Sequence, residues 1–141
     1  MTSTLSPTLT LADAQTAIAA AVAKAEETGV PSSVTVLDAS GRFVAGVRME
    51  GAPLISLDTS AAKARTSVFF GGAATADLVG AVQPGAPLYT IGAATGEQLA
   101  FLGGAVPLRA ADGTLLGAIG SGGGTPDQDV VVATAGADAL R

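Results

Sequence analysis

The chain has no cysteine, no histidine and no tryptophan among its 141 residues. The first two absences exclude Ser-His-Asp and Cys-His catalysis, and they exclude any metal site built on thiolate or imidazole ligands. We therefore predict no metal site of that kind. Chemistry in this protein must use carboxylates, lysine, arginine, hydroxyl groups, backbone groups or Tyr89, which is the single tyrosine.

Long apolar runs and concentrated positive charge are absent as well. No apolar stretch approaches the roughly 18 to 20 residues that a membrane-spanning helix needs, and residues 1–10 have neither the positive charge nor the apolar block of a signal peptide. The seven basic residues are scattered and the net charge is −5, whereas nucleic-acid-binding proteins concentrate positive charge on one face. We expect a cytoplasmic protein with no membrane or nucleic-acid partner.

The chain is also poor in aromatic residues, with four phenylalanines and one tyrosine. Hydrophobic residues make up 48% of the chain, but many of them are alanine, which buries little area. A small domain of this kind often covers its remaining apolar surface by self-association, so we expect a homo-oligomer. The length suits one domain, which we place at residues 9–141 after a flexible segment at residues 1–8.

Two helices are predicted from their terminal signals. Apolar residues recur every three or four positions after Thr10, and Gly29 ends that pattern. Near the other end of the chain, Thr125 is followed directly by a proline and three positions later by Gln128, which is typical of a capped helix start. This last helix is predicted to run to about Leu140.

A further helix is predicted over residues 56–70, and a short one over residues 75–82. In the longer of the two, Lys63 and Ser67 fall outside the apolar face. The side chains that align on the predicted buried face are Leu57, Ala61, Ala64 and Val68.

Four strands are predicted, in two hairpins. The first hairpin joins residues 32–37 to residues 42–49, and the second joins residues 100–109 to residues 115–120. The face of the second strand that we expect to be buried carries Phe43, Ala45, Val47 and Met49. Hairpins require antiparallel pairing, so the sequence predicts an antiparallel sheet with helices packed on it.

Three segments in series carry a resemblance to a known family. They are residues 49–66, with Met49-Glu50-Gly51-Ala52, Ser56 and Ala62-Lys63-Ala64-Arg65-Thr66; residues 103–108, with Gly103-Gly104-Ala105-Val106-Pro107-Leu108; and residues 117–136, with Gly117-Ala118-Ile119-Gly120-Ser121-Gly122-Gly123, Asp127, Asp129, Ala133 and Gly136. Together they resemble the GlcG/HbpS family, also called the haem-degrading or PduO C-terminal-like domain (DUF336), over roughly residues 9–140.

The resemblance implies a profilin-like three-layer α/β/α domain with a five-stranded antiparallel sheet, assembled into dimers and often octamers. It further implies binding of haem or iron, redox sensing, or a place beside enzymes of small-molecule catabolism and cobalamin metabolism. This chain departs from the haem pattern because it has no histidine. Tyr89, Met49 and Lys63 remain conceivable haem ligands, since phenol and thioether groups serve elsewhere as axial ligands.

The second-helix residues Lys63, Arg65 and Thr66 are candidates for ligand binding. Lysine and arginine can hold an anionic group such as a haem propionate or a substrate carboxylate. The alternative interpretation is a solvated helix face that carries a surface salt bridge.

A glycine-rich strand supplies the other binding candidates, Gly103, Gly104 and Pro107. They could form a bulge that exposes backbone N–H groups to a ligand, or they could simply allow close packing. The later glycine-rich run at residues 120–125 precedes a helix, and we interpret it as a capped turn rather than as an anion-binding loop.

Acid–base chemistry would use Glu97, Tyr89 or Lys63, which are the candidate catalytic residues. We interpret Asp127 and Asp129 instead as first-turn acids that complement the helix dipole. Three functions stay open: a homo-oligomer that binds a tetrapyrrole or another planar anionic ligand, an enzyme that moves a proton on a small carbonyl or carboxylate compound, and an accessory subunit that docks on a partner enzyme.

Overall fold

The computed structural model describes residues 7–141, so part of the predicted flexible segment, residues 1–6, lies outside the described residues. Three 3-10 turns, Thr75–Leu78, Gly80–Val82 and Ile91–Ala94, lie between the second helix and the third strand. The helices are α1 (Leu11–Thr28), α2 (Ile55–Phe69) and α3 (Pro126–Asp138). The strands are β1 (Ser33–Asp38), β2 (Phe43–Arg48), β3 (Ala105–Arg109) and β4 (Leu115–Gly122).

The strands form one antiparallel sheet in the order β2-β1-β4-β3. Helices α1 and α3 pack together on one face of this sheet, and α2 covers β1 and β4 on the other face. The predicted antiparallel sheet between helical layers is therefore confirmed. The expected fifth strand is wrong for the described residues, because the glycine- and proline-rich stretch between α2 and β3 forms turns instead of pairing with a sheet edge.

The predicted helix ends are confirmed at atomic detail. Thr10 Oγ1 accepts a hydrogen bond of 3.0 Å from the backbone N–H of Asp13, and Gly29 ends α1 in the left-handed conformation with φ 74°. Thr125 and Gln128 form a reciprocal capping box at the start of α3. That helix ends at Asp138, slightly earlier than predicted.

The main core lies between the sheet and the α1/α3 layer, and it is apolar. It is made largely of small side chains from α1 and α3 packed on larger ones from the strands. Its fully buried aliphatic side chains of larger size are Val34, Val36, Leu108, Ile119 and Val132.

The interface between α2 and the sheet is largely polar, which corrects part of the predicted buried face of this helix. Ala64 is buried as predicted, together with Leu37 and Ala118. Leu57, expected inside, is 43% exposed, whereas Ser56 and Ser60 are fully buried. Their hydroxyl groups lie 2.7 Å from Ser33 Oγ and 2.8 Å from Thr35 Oγ1. A hydroxyl group is costly to bury without a hydrogen-bond partner, and each of these groups has one. Hydroxyl pairing therefore allows serines to occupy buried positions that the spacing of apolar residues did not predict.

The predicted burial of Phe43 is also wrong, because this side chain is 68% exposed. The pairing of β1 with β2 shifts register between Val36 and Leu37, so that Leu37 lies opposite Phe43. An irregularity of this kind inserts a residue and moves the following side chains to the other face. The ring of Phe43 therefore lies on the α2 side of the sheet, over Gly46.

The turn between β1 and β2 is organised by Asp38. Its Oδ1 accepts hydrogen bonds from Ser40 Oγ at 2.6 Å, Ser40 N at 2.9 Å and Arg42 N at 3.1 Å. The side-chain bond from Ser40 is the largest cause that lowers the pKa of Asp38; the backbone N–H groups and the charge of Arg42 act in the same direction, and partial burial opposes them.

We therefore expect Asp38→Asn to lower the free energy of unfolding by about 1 kcal/mol at pH 7. A carboxylate with a lowered pKa stabilises the fold above its unfolded pKa, near 3.8, and loses that contribution as pH falls through the folded value. The difference between wild type and variant should thus disappear in acid below that window. Urea unfolding from pH 7 to pH 2 checks this, with the exposed Glu50→Gln as control, and a constant difference at all pH values would contradict it.

Candidate functional site

A buried ion pair joins the two helical layers. Lys63 Nζ lies 2.7 Å from Asp129 Oδ2, and the two side chains are 3% and 2% exposed. Lys63 also donates to the backbone carbonyl of Ser121 at 3.1 Å, and Asp129 Oδ1 accepts from the backbone N–H of Gly124 at 3.0 Å. Lys63 thus reaches from α2, past the ends of β3 and β4, to the first turn of α3.

The glycines before β3 make room for this contact. A Cβ atom on Gly104 would lie 2.8 Å from Lys63 Nζ and 2.9 Å from Asp129 Cβ, and the residue has a φ of 139°. A Cβ on Gly103 would lie 3.2 Å from Val130 Cγ2. In this structure both glycines permit close packing, which is one of the two roles the sequence left open.

Beside the ion pair is a pocket of about 250 Å³, here called the ion-pair pocket. Lys63 and Asp129 both line it. The rest of its wall is mostly apolar and consists of Pro53, Ile55, Thr59, Leu102, Gly123, Gly124 and Pro126.

The other second-helix candidates hold the segment at residues 97–100. Arg65 Nη1 donates to the Gln98 carbonyl at 2.8 Å, and its Nε lies 3.9 Å from Glu97 Oε2. Thr66 is fully buried, and its Oγ1 accepts from the backbone N–H of Ala100 at 2.9 Å. Thr66 therefore positions this segment, while Arg65, whose side chain is 23% exposed, retains access to solvent.

Arg65 and Glu97 also line a pocket of about 340 Å³ between β2 and the end of α2. The exposed rings of Phe43 and Phe69 form apolar walls of this pocket, and Arg42 adds a second guanidinium group.

Tyr89 lies in a different pocket, here called the Tyr89 pocket, which is open and measures about 550 Å³. Its side chain is 55% exposed. The other lining residues are Val82, Thr90, Gly92, Ala93, Leu99 and Phe101. Phe101 is held in place by an edge-to-face contact with Phe70, with ring centroids 5.6 Å apart.

The three candidate catalytic residues are therefore not brought together. Lys63, Glu97 and Tyr89 line three separate pockets. Pro107, the remaining binding candidate, lies in the edge strand β3 opposite Ala118, a position that suits a residue without an N–H group.

Sequence reasoning missed Asp129 as a partner of Lys63, because it assigned this acid to helix-dipole complementarity. A position in the first turn of α3 is compatible with that role, but it does not explain why the carboxylate is buried. The signal in the sequence was weak: Lys63 is flanked by two alanines on a helix, and Gly104 precedes a strand. Neither feature names the partner.

Two further observations concern other classes of site. Within residues 7–141, no three acidic side chains lie together in a way that could hold a metal ion. None of the helices in this part of the chain is long and apolar enough to cross a membrane.

Comparison with known proteins decides the family. The family described as "Haem degrading protein HbpS-like" matches this chain over residues 9–138. The chain belongs to the HbpS-like family. An uncharacterized 15.0 kDa protein from the dhaT-dhaS intergenic region of Citrobacter freundii is 36% identical over 131 residues, which are 93% of this chain and 91% of that protein.

Two further similar proteins extend the comparison. The corrinoid adenosyltransferase PduO of Citrobacter freundii is 40% identical over 115 residues, which cover 81% of this chain but 33% of PduO. This chain thus corresponds to about a third of the length of PduO. The crystal structure of a PduOC:heme complex superposes with a TM-score of 0.88 at 32% identity, covering 96% of each chain.

Proposed function

We propose that this HbpS-like protein binds haem in the Tyr89 pocket, with the Tyr89 phenol as the iron ligand. The observation that carries this proposal is the placement of the three conceivable ligands. Met49 packs against the main core, and Lys63 is held in the buried ion pair. Tyr89 is the one of the three whose side chain is largely exposed, at 55%, and it lines a pocket of about 550 Å³.

The chemistry of the pocket fits haem. Tyrosine is a known axial ligand of haem iron, and Leu99, Phe101 and Val82 offer apolar surface to a porphyrin ring. The volume of about 550 Å³ falls within the range of roughly 300–1,000 Å³ that is usual for ligand sites. Bound haem would supply a redox-active iron whose potential depends on its axial ligand.

Arg65 is the residue that we propose for a haem propionate. It donates to Gln98, the residue next to Leu99 of the pocket wall, and guanidinium groups bind carboxylates through paired hydrogen bonds. The description of the family and the haem complex of PduOC support a tetrapyrrole over other planar anions.

A haemin titration followed in the Soret region tests the proposal. Wild-type protein should show a saturable shift, and Tyr89→Phe should bind haemin at least tenfold more weakly and lose the resonance Raman signature of phenolate ligation. Phe43→Ala is the matched control, because it removes an exposed aromatic ring from a different pocket. A flat titration of wild-type protein would overturn haem binding, and an unchanged spectrum of Tyr89→Phe would overturn the role of Tyr89.

Self-association also belongs to the proposal, as a dimer or a larger assembly up to an octamer. Exposed apolar side chains at the start of α2, Leu54 and Leu57, support it. Light scattering on the purified protein checks the mass, and a monomer at all concentrations would contradict the expectation. The enzyme and accessory-subunit alternatives stay predictions, as does the cytoplasmic location.

A further inference from the structure

The ion pair beside the ion-pair pocket keeps unused hydrogen-bonding capacity. An ammonium group has three N–H donors, and within residues 7–141 Lys63 uses two of them, toward Asp129 and the Ser121 carbonyl. A carboxylate accepts about four hydrogen bonds. Within residues 7–141, the Asp129 carboxylate accepts one from Lys63 and one from Gly124. One donor and further acceptor positions are left for another molecule.

The walls of the pocket limit what that molecule can be. Its volume of about 250 Å³ lies below the lower end, roughly 300 Å³, of ordinary ligand sites, so the ligand is small. Ile55 and Leu102 are 66% and 45% exposed and leave an apolar mouth through which a small compound can enter.

The charges at the base of the pocket select a neutral ligand. Lys63 and Asp129 neutralise each other. An anionic ligand would therefore place an unpaired negative charge beside a buried carboxylate, and a cationic ligand would place an unpaired positive charge beside the ammonium group. A carbonyl oxygen can accept from Lys63, and a hydroxyl group can donate to Asp129.

We propose that the ion-pair pocket is a second ligand site, independent of the Tyr89 pocket, which binds a small neutral compound carrying a carbonyl or hydroxyl oxygen on a short alkyl chain. The oxygen accepts a hydrogen bond from Lys63 Nζ, a hydroxyl neighbour donates to Asp129, and the alkyl part contacts Leu102 and Ile55. Fold stability does not explain the pair, because buried ion pairs replaced by apolar residues often leave a protein equally stable. The pair instead lines a pocket and keeps hydrogen-bonding capacity that its protein partners do not use, which supports a role in binding.

The test uses acetoin as the probe, since it is small and neutral and carries both a carbonyl and a hydroxyl group. Acetoin titrated into ¹⁵N-labelled wild-type protein should cause saturable chemical-shift changes at the backbone amides of Gly104 and Gly124. The anion lactate, of similar size, should cause none. Leu102→Trp, which fills the mouth without touching the ion pair, should abolish the acetoin shifts.

The double variant Lys63→Met with Asp129→Asn should bind acetoin about tenfold more weakly, because the charged donor is gone. Absence of saturable shifts in wild-type protein, shifts that map elsewhere, or equal affinity in the double variant would each overturn the proposal. If the double variant does not fold, Leu102→Trp still decides, since acetoin binding that persists in it contradicts the site. Haemin binding should be unchanged in Leu102→Trp, so the two proposals fail separately.

Discussion

Replacing Lys63 by Met is expected to lower the free energy of unfolding by about 3–5 kcal/mol, a large share of the stability of a small domain. The methionine retains the apolar stem but leaves the Asp129 carboxylate buried without its cation. The lost attraction is the smaller part of this effect, and the larger part is the cost of an uncompensated charge in the protein interior. Urea unfolding followed by circular dichroism measures it.

Two variants control this result. Combining Lys63→Met with Asp129→Asn removes both charges and keeps an oxygen acceptor for the Gly124 amide, so most of the lost stability should return. Lys24→Met removes the cation of a surface pair with Glu27 at 3.3 Å, and its effect should stay within about 1 kcal/mol. If Lys63→Met were as mild as Lys24→Met, the pair would not be buried as the structure shows it.

Gly120→Ala is the second substitution for which we expect a large effect, a loss of about 3 kcal/mol or more. A Cβ atom at this position would overlap the Ser60 carbonyl of α2 and would lie 3.0 Å from the backbone N of Ala64. Both neighbours are helix backbone, which cannot turn aside as a flexible side chain could. Relief would require α2 to move away from the sheet and to break the hydroxyl pairs beneath it.

Gly80→Ala is the matched control, because a Cβ at Gly80 would meet no atom within 4 Å. The same chemical change there should leave stability unchanged or raise it slightly, since alanine lowers the entropy of the unfolded chain. Thermal unfolding of both variants gives the comparison. Equal melting temperatures for the two would show that α2 does not approach the sheet as closely as described.

The parts of the fold that could be predicted depend on signals close together in the chain. The caps at Thr10 and Thr125 and the glycine stop at Gly29 are interactions between residues at most five positions apart, so the sequence displays both partners. The hairpins were predicted for the same reason. The antiparallel direction of each pair follows from the short turn that joins its strands. In the first hairpin, Asp38 is part of that turn.

The failures involve partners that are distant in sequence. The polar part of the buried face of α2 could not be predicted from apolar spacing, because Ser56 and Ser60 are buried only where Ser33 and Thr35 of β1 meet them. In the same way, Lys63 and Asp129 are 66 positions apart, and no local pattern joins them. Tyr89 was identified as a candidate from the chemistry of its phenol alone, and the apolar surface around it depends on how the turns between α2 and β3 fold.

The hydroxyl pairs under α2 have a consequence for how the two proposed sites relate. A purely apolar interface lets a helix slide, whereas hydrogen bonds between hydroxyl groups are directional. The two pairs therefore fix the position and the orientation of α2 relative to β1. The same helix sends Lys63 to the ion-pair pocket and Arg65 to the segment that walls the Tyr89 pocket. The two proposed sites share no lining residue, yet one helix fixes their positions relative to each other. The serine hydroxyl groups of that helix, rather than apolar side chains, hold it in place.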